Sequence, residues 1–202
     1  MPRMTAAAAW MATPQVFVVD LWVQAAWRGP YPVLDGYLSD LGNTACLPDA
    51  CSARHALMNA SFVCLGLLLG MGLPLVPASP RRVRTLVGLA ALGWCLVGVA
   101  PENESMPLHL AGALPIFFCG NAGMILDGLH SWSHDRRRAV WSGFTGAVGS
   151  AATGLFLGGQ FLGLGQGGME RLAVYAPALW AAGLGAASVL TRADTGRAAP
   201  LR

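Results

Sequence analysis

The chain has 202 residues, of which 54% are hydrophobic and only 11% are charged, with a mean hydropathy of +0.51. This length fits one domain, and this composition excludes an ordinary water-soluble enzyme. All 13 basic side chains apart from histidine are arginines. Because there is no lysine for a Schiff base, a phosphate-binding loop or a lysine-rich surface, we expect no nucleic-acid partner.

Charge-free stretches long enough to cross a bilayer, which needs about 20 apolar residues, divide the chain. They predict an all-α polytopic membrane protein, in which one domain (residues 1–192) is a compact bundle of six transmembrane helices. The first stretch could also be a secretory signal peptide, but Asp20 and its bulky neighbours fit a cleavable segment poorly. Residues 193–202 are expected to form a disordered cytoplasmic tail. The predicted spans are residues 5–27, 55–78, 85–101, 106–129, 139–163 and 171–191.

The arginines predict how the bundle is oriented, since positively charged loops stay cytoplasmic during insertion. With the N-terminus inside, most arginines fall on the inner side, and most carboxylates fall on the outer side. We therefore expect both termini to be cytoplasmic.

Small residues recur every four positions in the fifth predicted span. Such a ridge lets helices approach closely in lipid, where there is little hydrophobic drive for association. It predicts tight packing within the bundle, and a homo-oligomer or a larger membrane complex is the alternative use of the same surface. The ridge consists of Ser142, Gly146, Ser150, Gly154 and Gly158.

Polar and ionisable residues gather on the predicted outer side, where each needs a partner or a function. Imidazoles and carboxylates at one level can perform acid–base catalysis, and the candidate catalytic residues are Asp40, Glu102, His55 and His109. The candidate ligand-binding residues are Asp20, Ser39, Asn43, Asn59 and Asn103. The alternative is that these side chains cap helices and satisfy backbone groups at helix ends.

No metal and no cofactor is expected. His55 and His109 lie on different helices, whereas zinc ligands usually come in pairs at short spacing. Asp127, His130 and His134 could share a helix face, but three arginines follow them, which favours a helix end that contacts lipid phosphates. In the first outer loop, Cys46 and Cys51 could form a disulfide in an oxidising compartment.

Four motifs resemble a known family. The stretches YLSDLGNTAC, CSARHALMNASF, GVAPEN and HLAGA are similar to the bacterial membrane family catalogued as domain of unknown function 998. The resemblance covers nearly the whole chain and implies a six-helix protein of the bacterial inner membrane, without a known reaction. The first motif is also similar to the eukaryotic Frag1 and DRAM membrane proteins, which are associated with lipid handling and autophagy.

Three functions are compatible with the sequence. The first is an outward-facing polar site that binds a lipid, an isoprenoid or a similar amphipathic small molecule. The second is a membrane-embedded enzyme of cyclase or hydrolase type, in which the same carboxylates and histidines transfer protons. The third is a non-enzymatic accessory subunit of a membrane complex. The sequence leaves open whether the chain is an enzyme.

Overall fold

The computed structural model describes residues 2–45, 52–76 and 81–197. Over these residues the chain is helical and forms no strand. A 3₁₀ turn, Ser39–Gly42, lies in the first long loop, and a π-helical segment, Ile116–Gly120, joins α5 to α6. The helices are α1 (Pro2–Met11), α2 (Gln15–Gln24), α3 (His55–Gly72), α4 (Arg81–Val99), α5 (Met106–Pro115), α6 (Asn121–Ser131), α7 (Arg136–Leu157) and α8 (Gly165–Arg197).

The predicted all-α, multi-pass fold is confirmed. Five helical segments are long and apolar enough to cross a membrane, and α7 is the sixth helix of the bundle. α7 has sufficient length, at 22 residues, but it begins with three arginines and is rich in glycine, serine and threonine. The five apolar segments are Arg3–Gln24, His55–Leu75, Arg81–Val99, Met106–Ser131 and Gly165–Thr191.

The membrane segments pack as a closed ring: α3 contacts α1, α2 and α4, α4 contacts α5 and α6, α7 contacts α6 and α8, and α8 contacts α1. Three fully buried tryptophans, Trp10, Trp94 and Trp180, fill the centre. The Trp10 indole donates a hydrogen bond to the Leu69 carbonyl at 3.0 Å, and the Trp180 indole donates to the Ser142 hydroxyl at 2.8 Å. These bonds join α1 to α3 and α8 to α7.

Two of the membrane segments are interrupted at prolines. Pro14 separates α1 from α2, since a proline offers no N–H to the preceding turn. The Thr13 hydroxyl beside it donates to the Ala178 carbonyl of α8 at 2.7 Å. In the fourth segment, Pro115 ends α5 and the π-helical segment follows at once. Both breaks lie inside the bundle, where neighbouring helices can satisfy the freed backbone groups.

Small residues set the helix contacts. A side chain at Gly66 would collide with the Ala91 carbonyl of α4, and Gly93 and Gly112 face one another across α4 and α5. In the predicted ridge, Ser142 is fully buried and Gly146 packs against α6, whereas Gly154 faces open space. Part of the ridge is therefore used inside the chain, and assembly through the rest of it stays a prediction.

The chain ends and loops differ in detail from the predicted bounds. α7 ends at Leu157, and the glycine-rich loop that follows has positive φ at Gly159 and Gly163 (67° and 82°), values that favour glycine. α8 continues to Arg197, so the first part of the expected tail is helical, and residues 198–202 lie outside the described residues. Cys46 and Cys51 also lie outside the described residues, so their disulfide stays a prediction.

Candidate functional site

The loop between α2 and α3 folds over the first turns of α8. The Leu38 N–H donates to the Glu170 carboxylate at 2.6 Å, and the Gly167 N–H of α8 donates to the Leu34 carbonyl at 2.7 Å. Arg171 adds a third link, because its guanidinium donates to the Gly36 carbonyl at 2.9 Å. The polar residues of this loop are therefore held against α8 at one end of the bundle, which we call the acidic end after Asp40, Glu102 and Glu170.

Asp20 belongs to a buried network below this loop. Its Oδ2 lies 3.2 Å from Arg171 Nε and accepts a hydrogen bond from the Tyr175 hydroxyl at 2.9 Å. Its Oδ1 accepts from the Gln24 amide at 2.7 Å. Tyr31 completes the network by accepting from Arg171 at 2.9 Å. Both oxygens of Asp20 are thus occupied within the chain, and the network ties α2 to α8.

The Asp40 and Glu102 carboxyl groups lie within hydrogen-bonding reach of one another. Burial, and next the hydrogen bond and charge of Glu102, raise the pKa of Asp40 to about 6. The Tyr37 N–H donates to Asp40 Oδ2 at 2.9 Å, and the Asn43 amide donates to Glu102 Oε1 at 3.0 Å. The structure therefore brings together three of the sequence-predicted residues, and their surroundings favour the protonated form of the Asp40 carboxyl group.

Asn103 holds the loop to the turn that follows α4. Its side-chain oxygen accepts from the Thr44 N–H at 3.1 Å, and its amide donates to the Thr44 hydroxyl at 3.1 Å. The same hydroxyl donates to the Glu104 carboxylate at 2.7 Å. Because Glu102 lies in the same turn, this contact keeps Glu102 beside Asp40.

Asn59 of α3 contacts the end of the 3₁₀ turn. Its amide donates to the Gly42 carbonyl at 2.8 Å, and any side chain at Gly42 would collide with the Asn59 amide group. Among the described residues, the buried polar atoms Asn43 Oδ1, Asn59 Oδ1 and His55 Nδ1 at this end have no hydrogen-bond partner, and neither has the Trp94 indole N–H beside the cavity below. Such atoms are uncommon in proteins and each is costly unless water or a ligand meets it.

His109 and Ser39 meet at a small cavity under the loop. The cavity has a volume of about 30 Å³ and is lined by Ser39, His109 and Glu170 on its polar side. Its apolar walls include Phe62, Trp94 and Phe117. His109 Nδ1 lies 3.0 Å from the Ala100 carbonyl, so this nitrogen carries a proton and donates it. At this size the cavity has room for about one water molecule.

The π-helical segment forms one wall of this cavity, through Ile116 and Phe117. The Asn121 amide lies 2.8 Å from the Phe117 carbonyl and 3.2 Å from the Ala173 carbonyl of α8, and the Thr153 hydroxyl lies 3.4 Å from the Phe117 carbonyl. These contacts compensate for the interrupted helix pattern. π-helical turns inside α-helices frequently occur at functional sites.

The acidic end has a marked excess of hydrogen-bond acceptors. Glu170 interacts electrostatically with both Asp40 and Glu102. The nearest cation, Arg171, already contacts Asp20, Tyr31 and three backbone carbonyls. Burial raises the pKa of Tyr31, so its hydroxyl stays a proton donor and adds no negative charge. An anion would therefore be repelled here, whereas a hydroxyl group or an ammonium group would find acceptors.

The sequence reasoning missed the contribution of α8. Glu170 and Arg171 form an adjacent pair of opposite charges at the start of the last apolar stretch, which is the one signal that could have indicated them. Tyr31 and Tyr37 carry no comparable signal. The predicted site residues thus divide into a group at the loop, a pair at the cavity, and Asp20, which lies in the Arg171 network. His55 lies one turn before Asn59 on α3.

The chain is a multi-pass helical membrane protein with an acidic polar cluster at one end of its bundle. It belongs to the family described as "Protein of unknown function (DUF998)", which matches residues 11–187. No curated protein and no solved structure matches the chain. The similarity of the first motif to the Frag1 and DRAM proteins stays a prediction.

Proposed function

We propose that the acidic end faces the outside of a bacterial inner membrane and binds the polar end of an amphipathic membrane molecule. That polar end is uncharged or cationic and donates hydrogen bonds, as in an isoprenoid alcohol or a long-chain amine. The observation that carries the proposal is the Asp40–Glu102 pair. Close to it, Asn43 Oδ1 and Asn59 Oδ1 are buried acceptors with no hydrogen-bond partner among the described residues.

The chemistry of the cluster selects the charge of the ligand. The Asp40 carboxyl group loses its proton as the pH rises through its pKa of about 6, so it is anionic at neutral pH. Hydrogen bonds from a donor to such charged acceptors are stronger than those between neutral groups. A phosphate would bring negative charge next to the carboxyl groups of Asp40 and Glu102, so phosphorylated lipids are disfavoured.

The walls of the cavity suggest why the ligand is amphipathic. Phe62, Trp94 and Phe117 line the space below the polar groups, and binding sites commonly combine apolar walls with a few convergent polar groups. The cavity has room for about one water molecule, so a larger polar group could enter it only if the π-helical wall moved. The apolar tail would then lie in the bilayer against the outer surface of α5.

A panel of three probes that share one tail tests this proposal. The purified protein in phosphatidylcholine nanodiscs is mixed with farnesol, farnesylamine or farnesyl phosphate, and the melting temperature is recorded by tryptophan fluorescence. We expect farnesol or farnesylamine to raise the melting temperature and farnesyl phosphate to leave it unchanged. The rise should be lost in Glu102→Gln and kept in Glu104→Gln, whose carboxylate contacts only Thr44 among the described residues.

Two results would contradict the proposal. One is stabilisation by farnesyl phosphate at least as large as that by farnesol, because the acceptor-rich cluster should repel the phosphate. The other is an equal loss of stabilisation in Glu102→Gln and Glu104→Gln, because that result would assign the effect to the general charge of the surface.

Catalysis is a second candidate function, and the raised pKa of Asp40 favours it. A carboxyl group with a pKa of about 6 can give and accept a proton near neutral pH, as a general acid or base requires. We expect membranes that contain the protein to convert a lipid-soluble substrate detected by mass spectrometry. Conversion should stop in Asp40→Asn and persist in Asp35→Asn; unchanged conversion in Asp40→Asn would exclude Asp40 as the acid or base.

A further inference from the structure

The end of the bundle opposite the acidic end carries three consecutive arginines at the start of α7. Arg138 is already paired, because its guanidinium contacts both oxygens of the fully buried Asp127, at 2.9 and 2.8 Å. Arg136 stacks over the Trp132 ring, with 3.5 Å between the guanidinium carbon and the ring centroid. The exposed Arg137 side chain forms no ion pair with any described residue. Arg137 is therefore available for a ligand.

Arg137 lines a cavity of about 570 Å³ between α7 and α8. Ser188 and Thr191 of α8 lie in the same lining, and both hydroxyls donate to carbonyls of their own helix. Asp135 also lines the cavity, but its carboxylate accepts from the Arg138 N–H and caps α7. A second depression, of about 420 Å³, is lined by Arg136, Arg137, Val140 and Trp141.

Trp141 connects this polar cavity to an apolar groove. The groove has a volume of about 550 Å³ and lies between α7 and α8, with Phe17 of α2 on one side. Its lining includes Trp141, Phe144 and Val148 and extends along α8 to Arg171. The Trp141 indole donates to the Trp180 carbonyl at 3.1 Å, which fixes the ring at the junction. From Arg137 to Val148 the helix rises about 16 Å, which is about half of the hydrocarbon thickness of a bilayer.

We propose that this composite surface is a binding site for an anionic glycerophospholipid from the adjacent leaflet. The phosphate lies in the cavity beside Arg136 and Arg137, and one acyl chain lies in the groove beyond Trp141. Basic pockets between membrane helices suit anionic head groups, and tryptophan is favoured at the boundary between head groups and acyl chains. The phosphate end of this site lies at the opposite end of the bundle from the acidic end, although the groove extends as far as Arg171. The proposed ligand is anionic, unlike the one proposed for the acidic end.

Charge and depth favour a lipid over a second copy of the chain. A symmetric partner would bring its own arginines to the same surface, where like charges repel. The nearby carboxylates already have partners within the chain: Asp127 binds the Arg138 guanidinium, and Asp135 accepts from the Arg138 backbone N–H. The polar cavity and the apolar groove also follow one another along the membrane normal, in the order in which a phospholipid presents its head and its tail.

Native mass spectrometry with defined lipids tests the site. The purified protein is titrated with phosphatidylglycerol or phosphatidylcholine carrying the same acyl chains, and dissociation constants are compared. We expect the protein to bind phosphatidylglycerol more tightly. Arg137→Gln should weaken its binding about fivefold, because one arginine near a membrane surface contributes about that factor. Arg82→Gln is the matched control, since Arg82 is exposed at the same end but lines neither cavity.

A second variant tests the groove. Val148→Trp fills it without changing any charge, so it should weaken binding of phosphatidylglycerol and leave the arginine cavity intact. Equal effects of Arg137→Gln and Arg82→Gln would overturn the proposal, because they would indicate a general surface charge. A predominantly dimeric mass that persists in Arg137→Gln and is lost in Val148→Trp would also overturn it, in favour of a second copy in the groove.

Discussion

Replacing Asp40 by asparagine should stabilise the protein at neutral pH. The folded state raises the pKa of Asp40 from 3.8 to about 6, chiefly through burial and the neighbouring Glu102. A raised pKa means that the folded state binds the proton more tightly than the unfolded state, so ionisation of Asp40 opposes folding. The stability is then fully present below about pH 4 and declines as the pH rises through about 6.

The size of the effect follows from the shift in pKa. At 1.36 kcal/mol per pKa unit the full shift would correspond to about 3 kcal/mol. Asp40 is only half-buried and solvent screens its charge, so we expect about 1 kcal/mol. Asparagine keeps an oxygen that can accept the hydrogen bond from the Tyr37 N–H, so the change removes the charge and preserves the turn.

Thermal unfolding between pH 4 and pH 8 measures this effect. In detergent, the wild-type melting temperature should fall as the pH rises from 4 to 6.5, and Asp40→Asn should flatten the decline and melt higher at pH 7.5. Asp35→Asn is the control, because Asp35 is exposed and should leave the decline unchanged. A melting temperature below that of the wild type at pH 7.5, with the pH dependence retained, would refute the reasoning.

Three further predictions follow from the contacts. Gly42→Ala should destabilise the protein by about 1–3 kcal/mol, because the new methyl group collides with Asn59; an unchanged melting temperature would show that the turn moves freely. Asp127→Ala should cost about 3–5 kcal/mol, since it leaves Arg138 without its buried partner, and adding Arg138→Met should restore part of that loss in chemical unfolding. Binding of farnesylamine should weaken as the pH falls from 7.5 to 5, because the Asp40 carboxylate gains a proton, and a pH-independent dissociation constant would contradict this.

The helical fold could be predicted because its signal is local. Each apolar stretch is long enough to cross a bilayer, and backbone groups in lipid must be satisfied within a helix. The two breaks within the membrane segments were harder to predict. Pro14 marks the first break in the sequence, but the π-helical segment after Pro115 depends on contacts from Asn121 and Thr153. These contacts exist only once α6, α7 and α8 are packed together.

The candidate site could be predicted in part. Asp40, Asn43 and Glu102 follow helix ends at one predicted level, and the structure brings them together. The pairing of Asp20 with Arg171 could not be predicted, because it requires α2 to pack beside α8 when the ring closes. From the sequence alone, which does not show that α2 packs beside α8, Asp20 is indistinguishable from an unpaired carboxylate of the outer polar cluster.

The small-residue ridge illustrates a limit of spacing arguments. A four-residue interval exceeds the 3.6 residues of one helical turn, so each step rotates the position by about 40° around the helix. Ser142 and Gly146 therefore face α6, whereas Gly154 has turned towards open space. The spacing predicts close packing correctly at one end of α7 but does not indicate which surface the other end presents.

The molecule that copurifies with the protein tests the central claim, that the acidic end recognises a donor-rich amphiphile. Native mass spectrometry of protein extracted gently from its own membrane identifies the retained species by mass. The account predicts a neutral or cationic amphiphile that is present in the wild type and in Glu104→Gln and lost in Asp40→Asn combined with Glu102→Gln. An anionic lipid as the species lost in that double variant, or retention of the same species in all three proteins, would contradict it.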